Sequence, residues 1–144
     1  MQTITQSDKE TRELGQKIAH SLHGGDIIIL KGDLGAGKTT LTKGIAEGFG
    51  IAEDITSPTF TLMNLYKVEN SPSKIKTLVH IDTYRLKNEQ ELLDIGVEDY
   101  LGQPDIVTII EWPEKIPTLL QNKKVLTVTI EHNTPNERTI SVTS

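Results

Sequence analysis

Apolar residues recur every fourth position at Leu14, Ile18 and Leu22, the spacing of one face of an α-helix. This predicts a helix over 7–22. Ser7 stands three residues before Glu10, so its hydroxyl can accept from an unpaired amide of the first turn. Gly24 and Gly25 mark the stop. The pattern then changes. DIIIL (26–30) is a continuous apolar run, which suits a strand buried on both faces, as in a parallel sheet. A glycine-rich stretch follows, and a second helix is predicted over 38–49, ended by Gly50. TFTLMNLYKV (59–68) and TLVHID (77–82) read as strands joined by the turn ENSPSK, together a hairpin. NEQELLDIGVEDYL (88–101) reads as one or two short helices broken near Gly96. DIVTIIEW (105–112) is a buried strand, and KVLTVTIEH (124–132) pairs with RTISVTS (138–144) across NTPNE in a second hairpin. A βα start with antiparallel additions predicts an α/β fold.

Size and charge narrow the possibilities. At 144 residues the chain is expected to form one domain, spanning 1–144. With 35% apolar and 24% charged residues it is globular rather than disordered. A net charge of −5 argues against autonomous nucleic-acid binding, which needs a basic surface. The absence of cysteine excludes disulfide and thiolate chemistry. MQTITQSDKETRE at the N-terminus is polar and carries no signal-peptide run. No apolar run approaches the roughly 18 residues of a membrane span. A soluble cytoplasmic protein with no membrane role is expected.

The glycine-rich stretch carries the chemistry. GDLGAGKT (32–39) fits the phosphate-binding pattern G-x-x-x-x-G-K-[ST]. Its glycines let successive backbone amides turn toward one anion. The helix that follows offers free amides and its positive end to the same anion. Lys38 supplies a cation for the outer phosphates, and Thr39 offers a hydroxyl to Mg²⁺. The fold expectation sharpens accordingly to a P-loop NTPase-like sheet, partly parallel with antiparallel hairpin additions, flanked by helices. GTPases use N-K-x-D to read guanine. The nearest string here, NKKV (122–125), lacks the aspartate and reads as a turn, so ATP is favoured.

Mg²⁺ needs oxygen ligands and keeps several waters. Two carboxylates stand where predicted strands end: Asp82 after TLVHI and Glu111 after IVTII. Ligands of open α/β sheets bind at that end. Trp112, which follows Glu111, is either core or a cover over the phosphates. SPTF (57–60) is either a plain turn or a loop whose hydroxyl senses the γ-phosphate. His80 shares a face with Asp82 on an alternating strand and reads as a buried histidine with its hydrogen bonds made. Arg85 faces a phosphate or pairs with Glu89 or Glu91.

GDLGAGKTTLTKG, SPTFTL, HIDTYRL, EDYL and IIEWPEK occur in this order. Taken together they resemble the TsaE family, small ATPases of the bacterial machinery that forms threonylcarbamoyladenosine in tRNA. The resemblance runs from about residue 10 to residue 140. It implies a Mg²⁺-dependent ATPase that joins two partner proteins of sugar-kinase-like fold and meets tRNA only through them. Such a subunit resets or regulates the catalytic complex, which modifies tRNAs reading codons that start with A. It places the phosphate cradle on Gly35, Ala36, Gly37, Lys38, Thr39 and Thr40, and the metal on Thr39 and Glu111. Asp82 becomes a site acid, Thr59 a switch-like residue and Trp112 a site aromatic. Arg138 is set near the nucleotide by a shorter match, and Ser7 or Asp8 by a weaker one. The competing reading is a small-molecule P-loop kinase. It would need an acceptor pocket and an arginine-bearing lid, yet only Arg85 and Arg138 follow the P-loop.

Overall fold

The computed structural model describes residues 1–33, 37–55, 62–69 and 74–144. In chain order the elements are β1 (Gln2–Thr5), α1 (Asp8–Ser21), β2 (Ile27–Lys31), α2 (Lys38–Gly48), β3 (Met63–Lys67), β4 (Thr77–Asp82), α3 (Gln90–Asp94), β5 (Ile106–Glu111), β6 (Val125–His132) and β7 (Arg138–Thr143). Short 3₁₀ turns lie at Val97–Asp99 and Pro113–Lys115.

The strands form one sheet in the order β1-β7-β6-β2-β5-β4-β3. Its centre is parallel, with β2 between β6 and β5, and β4 beyond β5. Antiparallel pairs β3/β4 and β6/β7 are the two predicted hairpins. The α/β expectation therefore holds: a partly parallel sheet with antiparallel additions, flanked by helices.

Apolar runs explain the centre. Ile28 and Leu30 face a core shared with Leu14, Ile18, Leu41 and Ile45 of α1 and α2. Ile27 faces the other way, with Val79, Ile81, Ile110 and Leu92. A strand covered on both sides has no polar face to alternate. Ser7 caps α1 as its spacing predicts: its Oγ accepts from Glu10 N at 3.1 Å. The returning arm differs from a full capping box, because Glu10 Oε2 accepts from Gln6 N rather than from the capping residue.

Small residues let α1 and α2 touch. A β-carbon on Gly44 would come within 2.2 Å of Arg12 O, and one on Gly15 within 2.6 Å of Leu41 O. Arg12 and Gln16 both donate to Glu47 across this seam. Gly44→Ala is therefore expected to lower the melting temperature. Overpacking costs about 1–3 kcal/mol, which outweighs the gain of about 1 kcal/mol in helix propensity. A thermal melt reads the sign, and a raised midpoint would contradict the close packing.

One feature departs from the sequence expectation. The N-terminal segment forms β1, paired antiparallel with β7 at the sheet edge. The strand expected over 59–68 is a strand over Met63–Lys67, and residues 59–61 lie outside the described set.

Candidate functional site

The site forms at the C-terminal ends of the parallel strands, where β2 gives way to the glycine stretch and α2. Gly37 is the N-cap of α2 and has φ 105°, in the left-handed region that glycine occupies without steric cost. Among the described residues no side chain caps this helix end, and its first turn carries no acidic residue. Its leading amides and positive dipole end are thus left for an anion. Thr39 is exposed and Thr40 half-buried in that first turn. Gly35 and Ala36, assigned to the cradle from the sequence, lie outside the described residues, as does Thr59.

Lys38 is buried, and its Nζ donates to Gly32 O at 2.8 Å. The same ammonium lies 4.1 Å from the centre of the Trp112 ring, a cation–π contact. Trp112 is thus half-buried at the loop rather than part of the sheet core. A cavity of about 180 Å³ opens here, lined by Leu30, Gly32, Lys38, Trp112 and Pro113 among others.

The two carboxylates meet by register. Asp82 and Glu111 are direct partners at the ends of parallel strands β4 and β5, and Leu30 at the end of β2 is level with Glu111 on its other side. Glu111 is 4% exposed, so its carboxyl group is buried at the end of β5. Asp82 is half-buried, and its Oδ1 accepts from Tyr84 N at 3.0 Å, which fixes the carboxylate. Among the described residues no group of three or more His, Cys, Asp or Glu could enclose a metal ion. A cation here would draw its remaining ligands from phosphate and water, the habit of Mg²⁺. A buried carboxylate at a strand end, an exposed threonine hydroxyl and the start of a helix are the kinds of group that suit a phosphate chain with such an ion.

A cluster that the sequence reading missed holds these parts in place. Thr83 is fully buried, and its hydroxyl is shared between Glu111 O at 2.9 Å and Trp112 O. This pins the chain where it leaves β5, and Trp112 there adopts φ 62°. The Tyr84 ring lies 5.1 Å from that of Trp112, and Lys115 Nζ donates to the carbonyls of Tyr84 and Leu86. The available signal was the adjacency of Thr83 and Tyr84 to Asp82 in HIDTYRL.

Arg138 begins β7 and reaches Gly37 at the start of α2. Its Nη2 pairs with Asp8 at 2.7 Å, and its Nη1 donates to Thr11 Oγ1 at 3.2 Å. A β-carbon on Gly37 would come within 2.8 Å of Arg138 Nε. That Nε is buried and has no hydrogen-bond partner among the described residues, so one donor remains beside the loop. Asp8 thus reaches the site through Arg138. Arg85 is exposed and forms no ion pair among the described residues. Glu89 instead accepts from Thr118 N, and Glu91 accepts from Lys87 N.

His80 corrects the sequence expectation. It is 2% exposed, yet neither ring nitrogen has a hydrogen-bond partner among the described residues. Its Nε2 is 3.8 Å from Glu111 Oε2. Leaving a buried polar group unpaired costs about 1–3 kcal/mol.

Comparison with known proteins places these features in one family. The family model described as threonylcarbamoyl adenosine biosynthesis protein TsaE matches residues 5–140. Among curated relatives, the tRNA threonylcarbamoyladenosine biosynthesis protein TsaE of Treponema pallidum is 35% identical over 142 residues, covering 99% of both chains. Its Bacillus subtilis namesake is 38% identical over 141 residues, covering 97% of this chain and 83% of the relative. That of Synechocystis is 44% identical over 112 residues, covering 76% and 68% respectively. Among solved structures, Bacillus subtilis YdiB superposes with a TM-score of 0.72 at 33% identity, covering 100% of this chain and 84% of that one. The matched span runs from the last residue of β1 into β7 and takes in every site element described above, and the chain belongs to the TsaE family.

Proposed function

We propose that this chain is the ATP-hydrolysing subunit of the machinery that forms threonylcarbamoyladenosine in tRNAs reading codons that start with A. The names of its relatives support the pathway. One observation carries the chemistry: the P-loop lysine and helix start follow β2, and Glu111 stands level with the end of β2 on its parallel neighbour.

In this reading the α2 amides and Lys38 bind the phosphates, with Lys38 exchanging Gly32 O for phosphate oxygen. Thr39 and Glu111 would hold Mg²⁺, which would supply charge neutralisation to the phosphates. Asp82, oriented by Tyr84 N, directs a water at the γ-phosphorus and takes its proton. The new P–O bond forms as the bond to the β–γ bridging oxygen breaks, releasing ADP and phosphate. Trp112 excludes solvent beside Lys38, and Arg138 lends its remaining donor to the nucleotide. The family motif adds Gly35, Ala36, Thr40 and the switch-like Thr59.

Hydrolysis serves to reset the catalytic complex, formed by two partners of sugar-kinase-like fold. An acidic chain depends on those partners to present tRNA, because each phosphate contact needs a local cation. ATP and ADP states must then differ in partner affinity, since a ligand shifts an equilibrium only through differential binding. The expected result is slow phosphate release by the chain alone, stimulation by the two partners, and capture of both in a nucleotide-dependent pull-down. Appearance of a phosphorylated metabolite in place of free phosphate would favour the small-molecule kinase, which family membership does not support. A cytoplasmic site of action goes with this role in tRNA modification. Among the described residues no helix is long and apolar enough to cross a membrane.

A further inference from the structure

His80 sits in the sheet beside Ile109 on β5 and opposite Asn64 on β3. Alternation along β4 puts it on the same face as Leu78 and Asp82. Leu78 and Ile109 belong to the apolar core on that face. A leucine would fill this place without burying two nitrogens that lack partners. A buried polar group of this kind needs a reason, and Glu111 supplies one. Glu111 Oε2 lies 3.8 Å from His80 Nε2, with both side chains almost wholly buried. Among the described residues no hydrogen-bond donor reaches the Glu111 carboxylate. The gap is too long for a hydrogen bond and closes with a shift of about 1 Å.

We infer that His80 is a positioning residue for Glu111. The Nε2–H group of His80 donates to Glu111 Oε2 when that carboxylate turns to a cation beside Thr39. One carboxylate oxygen is then fixed, and the other is presented to the ion. Ligating carboxylates depend on such outer partners, whose loss costs roughly 10–100-fold in metal affinity. The inference rests on the reading of Glu111 as a metal ligand.

The test uses Mn²⁺ as probe, titrated into the complex with ADP and followed by electron paramagnetic resonance. ADP affinity without metal is measured by calorimetry, and melting confirms folding. His80→Leu is expected to weaken Mn²⁺ binding about tenfold while leaving metal-free ADP affinity unchanged. His80→Gln, whose amide nitrogen reaches the place of Nε2, is expected to restore most of the loss. The double variant with Glu111→Gln should bind Mn²⁺ no more weakly than Glu111→Gln alone. Wild-type Mn²⁺ affinity in His80→Leu, equal losses in the leucine and glutamine variants, or a matching fall in metal-free ADP affinity would each overturn the role of His80. Wild-type Mn²⁺ affinity in Glu111→Gln would instead overturn the metal reading of Glu111, and the inference with it. Imidazole nitrogen resonances of the unaltered protein give a check that needs no variant. An Nε2–H signal that shifts with ADP and Mg²⁺ together, but not with ADP alone, is expected; an unmoved signal contradicts the contact.

Discussion

Lys38→Ala is expected to reduce ATP hydrolysis by about a hundredfold or more, the scale on which one preorganised charge-stabilising donor acts. Lys38 begins α2, and its Nζ already lies at the loop mouth, held by Gly32 O and the Trp112 ring. On the proposed reading, its removal leaves the α2 amides without the cation that would meet the outer phosphates. Phosphate release under saturating ATP separates lost catalysis from weakened binding. Nucleotide affinity should also fall, more for ATP than for ADP, because the γ-phosphate adds charge at this point. Undiminished hydrolysis in the variant would contradict the P-loop assignment.

Glu111→Gln is expected to separate binding from chemistry. The substitution keeps the shape of a side chain that is only 4% exposed but removes the carboxylate charge. Metal-free ADP binding should persist, while hydrolysis falls by about a hundredfold through lost metal stabilisation of the developing charge. Asp82→Asn should also lose hydrolysis, yet keep Mn²⁺ affinity close to wild type. Asp82 and Glu111 are neighbours in register, so this contrast distinguishes the proton acceptor from the metal ligand. Equal Mn²⁺ affinity in Glu111→Gln and the unaltered chain would remove Glu111 from the metal.

Much of the fold was legible because its signals are local. The every-fourth-residue stripe and Ser7 mark α1, and unbroken apolar runs mark β2 and β5, which are buried on both faces. The break at Gly96 is equally local, since φ 82° there favours glycine. β1 was not legible. Its four residues form a sheet edge with Ile4 largely exposed, so no apolar alternation marks it. Its hydrogen-bonded partners lie at the far end of the chain, and spacing carries no record of that pairing.

The site divides in the same way. The phosphate motif is contiguous in sequence, and strand ends flagged Asp82 and Glu111 as candidates. Their side-by-side placement depends on the parallel register of β4 and β5, which a single sequence does not specify. The Thr83 clasp on the turn after β5 and the unpaired nitrogens of His80 are likewise products of tertiary packing. Arg138 illustrates the limit most clearly. Only the fold of β7 against α1 brings its guanidinium to Asp8 and Gly37.

On the proposed function, ATP turnover on this chain drives repeated rounds of tRNA modification. The most direct test of this is multi-turnover threonylcarbamoylation of tRNA in a reconstituted mixture of the two partner proteins. The chain is supplied unaltered, as Lys38→Ala, or not at all, and phosphate release is followed in parallel. Sustained modification is predicted only with the unaltered chain, whose ATPase rate rises when the partners are added. Equal modification with and without the chain, together with an ATPase rate that the partners leave unchanged, would contradict the account.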